Sequence, residues 1–155
     1  MMRDVQRFSL LPELNLDLKI LCDMLSISLD AYSANVALYR RITTCLEQYA
    51  FQRISFLYWS LSEQLLFCLE ALPQDTGTMN PEAGYIGKAY LAATKAPIEK
   101  APKRMVVVNK QALKRLKKLG AKLDDRQYAM AVNQCLMKIQ MMASQDQRYQ
   151  VRLTG

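Results

Sequence analysis

Between Pro12 and Pro73 the chain runs for sixty residues without a proline or a glycine. A sheet protein needs turn residues far more often than that, so the span can hardly be anything but helical. Within it the apolar residues Leu18, Cys22, Leu25, Leu29, Tyr32, Val36 and Tyr39 return at alternating steps of four and three. That rhythm keeps one stripe of a helix against its neighbours along its whole length. The spacing predicts a helix starting near Asn15, a good cap residue, with Asp17 in the first turn where the helix dipole favours an acid.

A single helix over the span would be about 90 Å long, too long for one domain of 155 residues. The segment "TTCLE" supplies the break. Thr44 followed by Glu47 has capping-box spacing, so a short turn closes at Thr43 or Thr44 and a second helix runs from Cys45 to Leu72. Ala50, Ile54, Leu57, Leu61, Leu65, Cys68 and Leu72 form one face of it, and Phe51, Tyr58, Trp59, Leu66 and Phe67 widen that face beyond what one neighbour covers. Pro73 to Gly84, "PQDTGTMNPEAG", then reads as a loop crossing the end of a bundle. "YIGKAYLAATKA" is a short third helix, interrupted by Pro97 and resumed after Pro102 up to a stop at Gly120. Asp124 and Gln127 give a second cap-and-return pair opening a last helix, with Tyr128, Ala131, Cys135, Leu136, Ile139 and Met142 on its inward stripe and Met130, Met137 and Met141 expected as core filler.

The resulting expectation is an all-α fold: an antiparallel four-helix bundle of two helical hairpins joined by a crossing loop. It is one domain over residues 1–155, with an N-terminal arm at 1–13, the crossing loop at 73–84 and a flexible tail at 148–155. The length suffices to bury about 70% of the unfolded surface without a staple. Consistent with that, Cys22, Cys45, Cys68 and Cys135 form no CxxC pair and sit in apolar helical patterns as small hydrophobes. The N-terminus lacks the apolar core of a secretory signal. The most apolar window, Ile54–Leu72, carries Ser60, Ser62, Glu63, Gln64 and Glu70, which suits a bundle helix better than a membrane span. A cytoplasmic protein is expected.

Charge is distributed unevenly. The formal net charge is +7, yet Lys95 to Lys122 holds ten basic residues against the one acid Glu99, which leaves the rest of the chain slightly acidic. Within that segment Lys110, Lys114, Arg115, Lys117, Lys118 and Lys122 surround Leu113, Leu116 and Leu119. They are the candidates for binding an anion, whether nonspecific nucleic acid or an anionic membrane surface. The plainer reading, a solvated bundle face, is preferred, because no aromatic residue interleaves with these cations to stack on bases.

Several short motifs carry a resemblance. "LNLDLKIL" at Leu14–Leu21, "DAY" at Asp30–Tyr32, "PQDTG" running into "GYIGKAY", and "LDDRQYAMAV" before the last helix stand where similar segments stand in one small bacterial ferritin-like family of unknown function. This chain resembles that family over most of its length, to about Gln147. The resemblance implies a ferritin-like bundle with an ancestral site for two metal ions built from Glu and His residues between the helices. The departures fall on that site. The chain has no histidine; the first-helix Glu of the family is Asp30, the second-helix Glu falls near Glu63 or Gln64, the histidine position falls at Gly87, and the last helix offers Asn133 and Gln134 where an acid is needed.

Asp30 and Glu63 are therefore the remaining metal candidates, for iron or another divalent cation held through oxygen ligands. The preferred reading has no metal and no cofactor: Asp30, like Asp23 seven residues earlier, lies one step off the apolar seam and fits the flank of a bundle helix. No histidine can activate a serine or cysteine and no Gly-rich phosphate loop is present, so nucleophilic and nucleotide chemistry lack support. Three classes of function follow. The first, preferred, is a non-catalytic, metal-free ferritin-like bundle in an interaction or stress-related role, with a protein partner or a homo-oligomer. The others are a residual carboxylate metal protein and a basic-helix binder of anions.

Overall fold

Tyr39 is the last residue of one helix and Cys45 the first of the next, so the break in the long unpunctuated span falls where Thr44 and Glu47 place it. In the computed structural model the backbone is described for residues 2–71 and 84–154, and side chains for residues 16–71 and 84–145. Among the described residues there are five helices and no strand: α1 Met2–Tyr39, α2 Cys45–Glu70, α3 Tyr85–Lys95, α4 Ala101–Gly120 and α5 Arg126–Thr154. The crossing loop expected at 73–84 lies, up to residue 83, outside the described residues.

α1 and α2 run in opposite directions. The Gln48 side chain donates to the Tyr39 carbonyl at 3.2 Å, the Tyr32 and Trp59 rings lie 5.0 Å apart, and the Ser28 and Ser62 hydroxyls meet at 2.8 Å. α1 also packs on α3 and α4, α5 packs on α2 and α4, and α3 packs on α4. The contacts α1–α2–α5–α4–α1 thus close a ring around the core, with α3 laid against α1 and α4. Leu21, Met24, Leu38, Phe51, Leu61, Leu65, Met105, Leu116 and Leu136 fill the interior.

The buried stripe of α1 differs from the predicted one by a single residue. Leu18 of the predicted seam is buried, as are Ile20 and Ala34, and the innermost line is Asp17, Leu21, Met24, Ser28, Ala31, Asn35 and Leu38. The residues of that line follow the same rhythm of four and three, rotated by about 100°. Cys22, Leu25, Tyr32 and Tyr39 are only partly buried at its edge, and Leu29 is exposed. Hydropathy points to the neighbouring register because the innermost line contains three polar residues, Asp17, Ser28 and Asn35, and an alanine, and the burial of the polar ones depends on partners from other helices.

Helix ends were read with mixed success. α1 continues back through Pro12 to Met2, so residues 2–13 of the expected arm are helical and the helix does not start near Asn15; a proline within a helix forfeits one main-chain hydrogen bond, and the chain continues past it here. The interruption expected at Pro97 separates α3 from α4. Ala96 is extended, with ψ of 153°, as the residue before Pro97 tends to be. α4 opens at Ala101 with Pro102 in its first turn, where no main-chain partner is lost. Gly120 ends α4, but none of the described glycines has a positive φ. Its use is steric: a Cβ there would lie 3.1 Å from Asn133 Oδ1 and 3.5 Å from Leu136 Cδ1, so glycine lets α4 approach α5.

The cap of α5 is Asp125 rather than Asp124. Its Oδ1 accepts the N–H groups of Gln127 at 2.9 Å and Tyr128 at 3.1 Å. The last helix continues to Thr154, through the segment expected as a loose tail; the side chains there lie outside the described residues. Val132, Leu136 and Ile139 form its buried line. Met130, Met137 and Met141, expected inside, are more than 60% exposed. They occupy the face of α5 opposite that line, where the ring of helices supplies no neighbour.

Candidate functional site

Where α1 meets α3 and α4, and where it meets α2, the interior holds amides and hydroxyls bonded to one another. Asn35 on α1 and Asn109 on α4 face each other as a reciprocal pair. Asn35 Nδ2 donates to Asn109 Oδ1 at 2.9 Å, and Asn109 Nδ2 donates to Asn35 Oδ1 at 3.0 Å. Asn35 also donates to the Ala31 carbonyl at 2.7 Å. Tyr90 on α3 brings its hydroxyl in from the side and donates to Asn109 Oδ1 at 2.7 Å. Two turns before Asn35 along the same stripe, Ser28 meets Ser62.

These groups are almost completely buried, and buried polar groups persist only where they satisfy one another. Beside them the buried Tyr58 hydroxyl meets no partner with good hydrogen-bond geometry, although the Tyr90 hydroxyl lies close enough to interact with it. Burial drives the Tyr58 pKa far above the ordinary tyrosine range, an effect that the neighbouring Tyr90 hydroxyl partly offsets. Burial likewise raises Tyr90, with Tyr58 and then Asp30 adding to the effect. Neither phenol ionises near neutral pH. The network orients helices and offers no ready acid or base.

Asp30 lies outside this network, at the edge of a groove of about 630 Å³ between α1, α3 and α4. Lys19, Asp23, Gly84, Tyr85, Gly87 and Arg115 share that groove, and no residue of α2 does. Partial burial raises the Asp30 carboxyl. Glu63 is exposed on α2 and does not line that groove. Among the described residues no group of three or more Asp, Glu, Cys or His side chains converges. Gly87 borders the same groove, while Asn133 and Gln134 are exposed on α5.

The six cationic candidates are all exposed. Lys110, Lys114, Arg115, Lys117 and Lys118 lie on α4 and Lys122 just beyond it, with Arg115 on the side of the groove. The cysteines divide. Cys22, Cys68 and Cys135 are at least partly buried, and burial raises each thiol, which makes thiolate chemistry poor there. Cys45 is exposed at the start of α2 rather than in an apolar environment. No described helix is long and apolar enough to cross a membrane.

Sequence reading passed over Asn35, Asn109, Tyr90, Ser28 and Ser62. A signal was present: Ser28 and Asn35 stand seven residues apart between strong apolar positions, and Asn109 interrupts the run "VVVNK". Polar residues at heptad spacing in such runs are what an interhelical network requires. Comparison of the chain with protein-family models, curated proteins and solved structures finds no match.

Proposed function

We propose that this chain is a non-catalytic helical bundle of ferritin-like type, descended from a dimetal architecture whose centre has been lost, and that it works through contacts with protein. The observation that carries the reading is the composition of the polar interior between α1, α3 and α4. A diiron carboxylate site needs inward-pointing Glu and His from facing helices; the facing helices here present Asn35, Asn109 and Tyr90, already hydrogen-bonded to each other. Amide and phenol groups committed in this way are poor ligands for iron. The absence of histidine from the whole chain agrees with this.

The test is elemental analysis of purified protein before and after anaerobic incubation with ferrous iron, alongside Asp30→Ala. The expected result is no stoichiometric metal in either protein. Stoichiometric iron in the wild type that Asp30→Ala abolishes would establish a carboxylate site and overturn the reading.

A second reading is favoured by one observation, the exposure of all six cations on and just after α4. Such a face binds polyanions through counterion release, without reading sequence. Charge reversal at Lys114, Lys117 and Lys118 then removes retention on a random duplex and leaves the fold intact. Retention that persists after reversal excludes it.

A further inference from the structure

α2 is apolar on more sides than its neighbours cover. Among the described residues it packs on α1 and α5 alone, yet Leu46, Tyr49, Phe56, Trp59, Leu66 and Phe67 are all exposed. Phe56 and Phe67 reach 67% and 69%. A bundle helix with apolar residues all round is ordinarily enclosed all round.

The uncovered side is also ordered. Tyr49, Arg53, Phe56, Ser60, Glu63 and Phe67 follow at steps of four, three, four, three and four, which is a second helix-packing seam. Reversed about position 58, this seam is its own complement: Tyr49 falls opposite Phe67, Arg53 opposite Glu63, and Phe56 opposite Ser60. We propose that the occupant of this face is a second copy of the chain, docked α2 against α2 in antiparallel register about a twofold axis near residue 58. The proposal rests on the reading of the bundle as an interaction protein and names its partner.

Twofold symmetry makes each contact occur twice. Two Arg53–Glu63 ion pairs and two Tyr49–Phe67 ring pairs flank a centre where Phe56 of each copy lies over the small Ser60 of the other, allowing close approach of the helices. The receiving surface is already shaped for this. Arg53 lies 5.3 Å from the centre of the Tyr49 ring. Tyr49, Gln52, Arg53, Phe56, Leu57 and Met142 line an open groove of about 330 Å³, on the side where Phe67 of the second copy would enter. Parallel pairing in register would set Arg53 against Arg53 and Glu63 against Glu63, so charge selects the antiparallel arrangement. Aromatic side chains bury up to about 150–250 Å² each. Three from each copy, with the flanking Leu46 and Leu66, approach the roughly 1,200 Å² at which specific interfaces begin.

Sedimentation equilibrium on the full chain decides the matter, with Arg53→Glu, Phe56→Glu and the swap Arg53→Glu/Glu63→Arg. All are substitutions outside the core, and circular dichroism checks that helicity is kept. The wild type is expected to reach twice the 17.8 kDa chain mass at about 100 µM, above the micromolar Kd of a modest interface. Arg53→Glu should weaken the dimer by about 10-fold, Phe56→Glu by about 100-fold or more, and the swap should restore most of what Arg53→Glu loses. A monomeric wild type, a dimer indifferent to Phe56→Glu, or a swap that restores nothing overturns the proposal. None of these outcomes bears on the lost metal centre, which the iron titration decides separately.

Discussion

Tyr58 holds a hydroxyl that no partner meets with good hydrogen-bond geometry, in a position with 0% exposure, and Tyr90 is 1% exposed beside it. Both phenols ionise in the folded protein only well above their ordinary pKa of 10.0. The unfolded chain gives up these protons near pH 10 while the folded chain keeps them, so the folded state binds more protons and loses stability as pH rises. The contribution is complete below that pH and falls above it by about 1.4 kcal/mol per pH unit for each tyrosine. Urea denaturation at pH 9 to 11 should show that decline, with Tyr58→Phe removing one tyrosine's share of the slope. At pH 7 the same substitution should stabilise the protein by about 1 kcal/mol, because it removes a buried polar atom that no well-formed hydrogen bond satisfies; a clear loss of stability would mean that the hydroxyl is bonded after all. Little of this was legible in the sequence. Tyr58 reads there as a residue that widens an apolar face, and whether its hydroxyl finds a partner depends on α3, contributed from beyond the loop.

At the scale of the element, one rotation of α1 and one misread acid have a common cause. Asp17 looks like a first-turn acid of its own helix. Instead its Oδ1 and Oδ2 accept the N–H groups of Asp124 and Asp125 at 3.0 and 3.1 Å, so it serves the opening of α5 from 107 residues away. Arg41 acts similarly at the other end of a helix: its guanidinium donates to the Thr94 and Ala96 carbonyls at 2.6 and 3.0 Å, closing the C-terminal end of α3. Asp17→Ala strands two donors and should destabilise the fold by about 1–3 kcal/mol. Hydrogen exchange should quicken in the first turn of α5, and unchanged exchange there would rule out the capping role. Local pattern places both ends of α2, α3 and α4 and the start of α5 to within a residue or two, and misses the far end of α5, which runs on to Thr154. It could not find which side of α1 is innermost, because Ser28 and Asn35 are buried by virtue of Ser62 and Asn109, not of their own hydropathy.

For the whole molecule, dimerisation through α2 couples stability to concentration. Mass action then raises Tm with protein concentration, and the effect should vanish in Phe56→Glu. A Tm that is the same over a hundredfold range of wild-type concentration speaks against a dimer that forms with folding. The exposed Met130, Met137 and Met141 on α5 have no comparable internal complementarity, and nothing in the structure shows what they meet.

The sequence by itself determined that this protein is helical, that α1 and α2 break apart at Thr44, that α5 starts beside Asp124, and that no histidine-based chemistry is available to it. Those properties follow from short-range rules: the spacing of apolar residues, the turn preferences of proline, and which side chains exist at all. Only the tertiary structure decided the innermost face of α1, the amide and phenol network between α1, α3 and α4, the groove that Asp30 lines and Glu63 does not, and the bare side of α2. Each of these depends on which residues distant in sequence come to lie within a few ångströms. A polar side chain is placed inside or outside by the partner that satisfies it, and an apolar one by the neighbour that covers it.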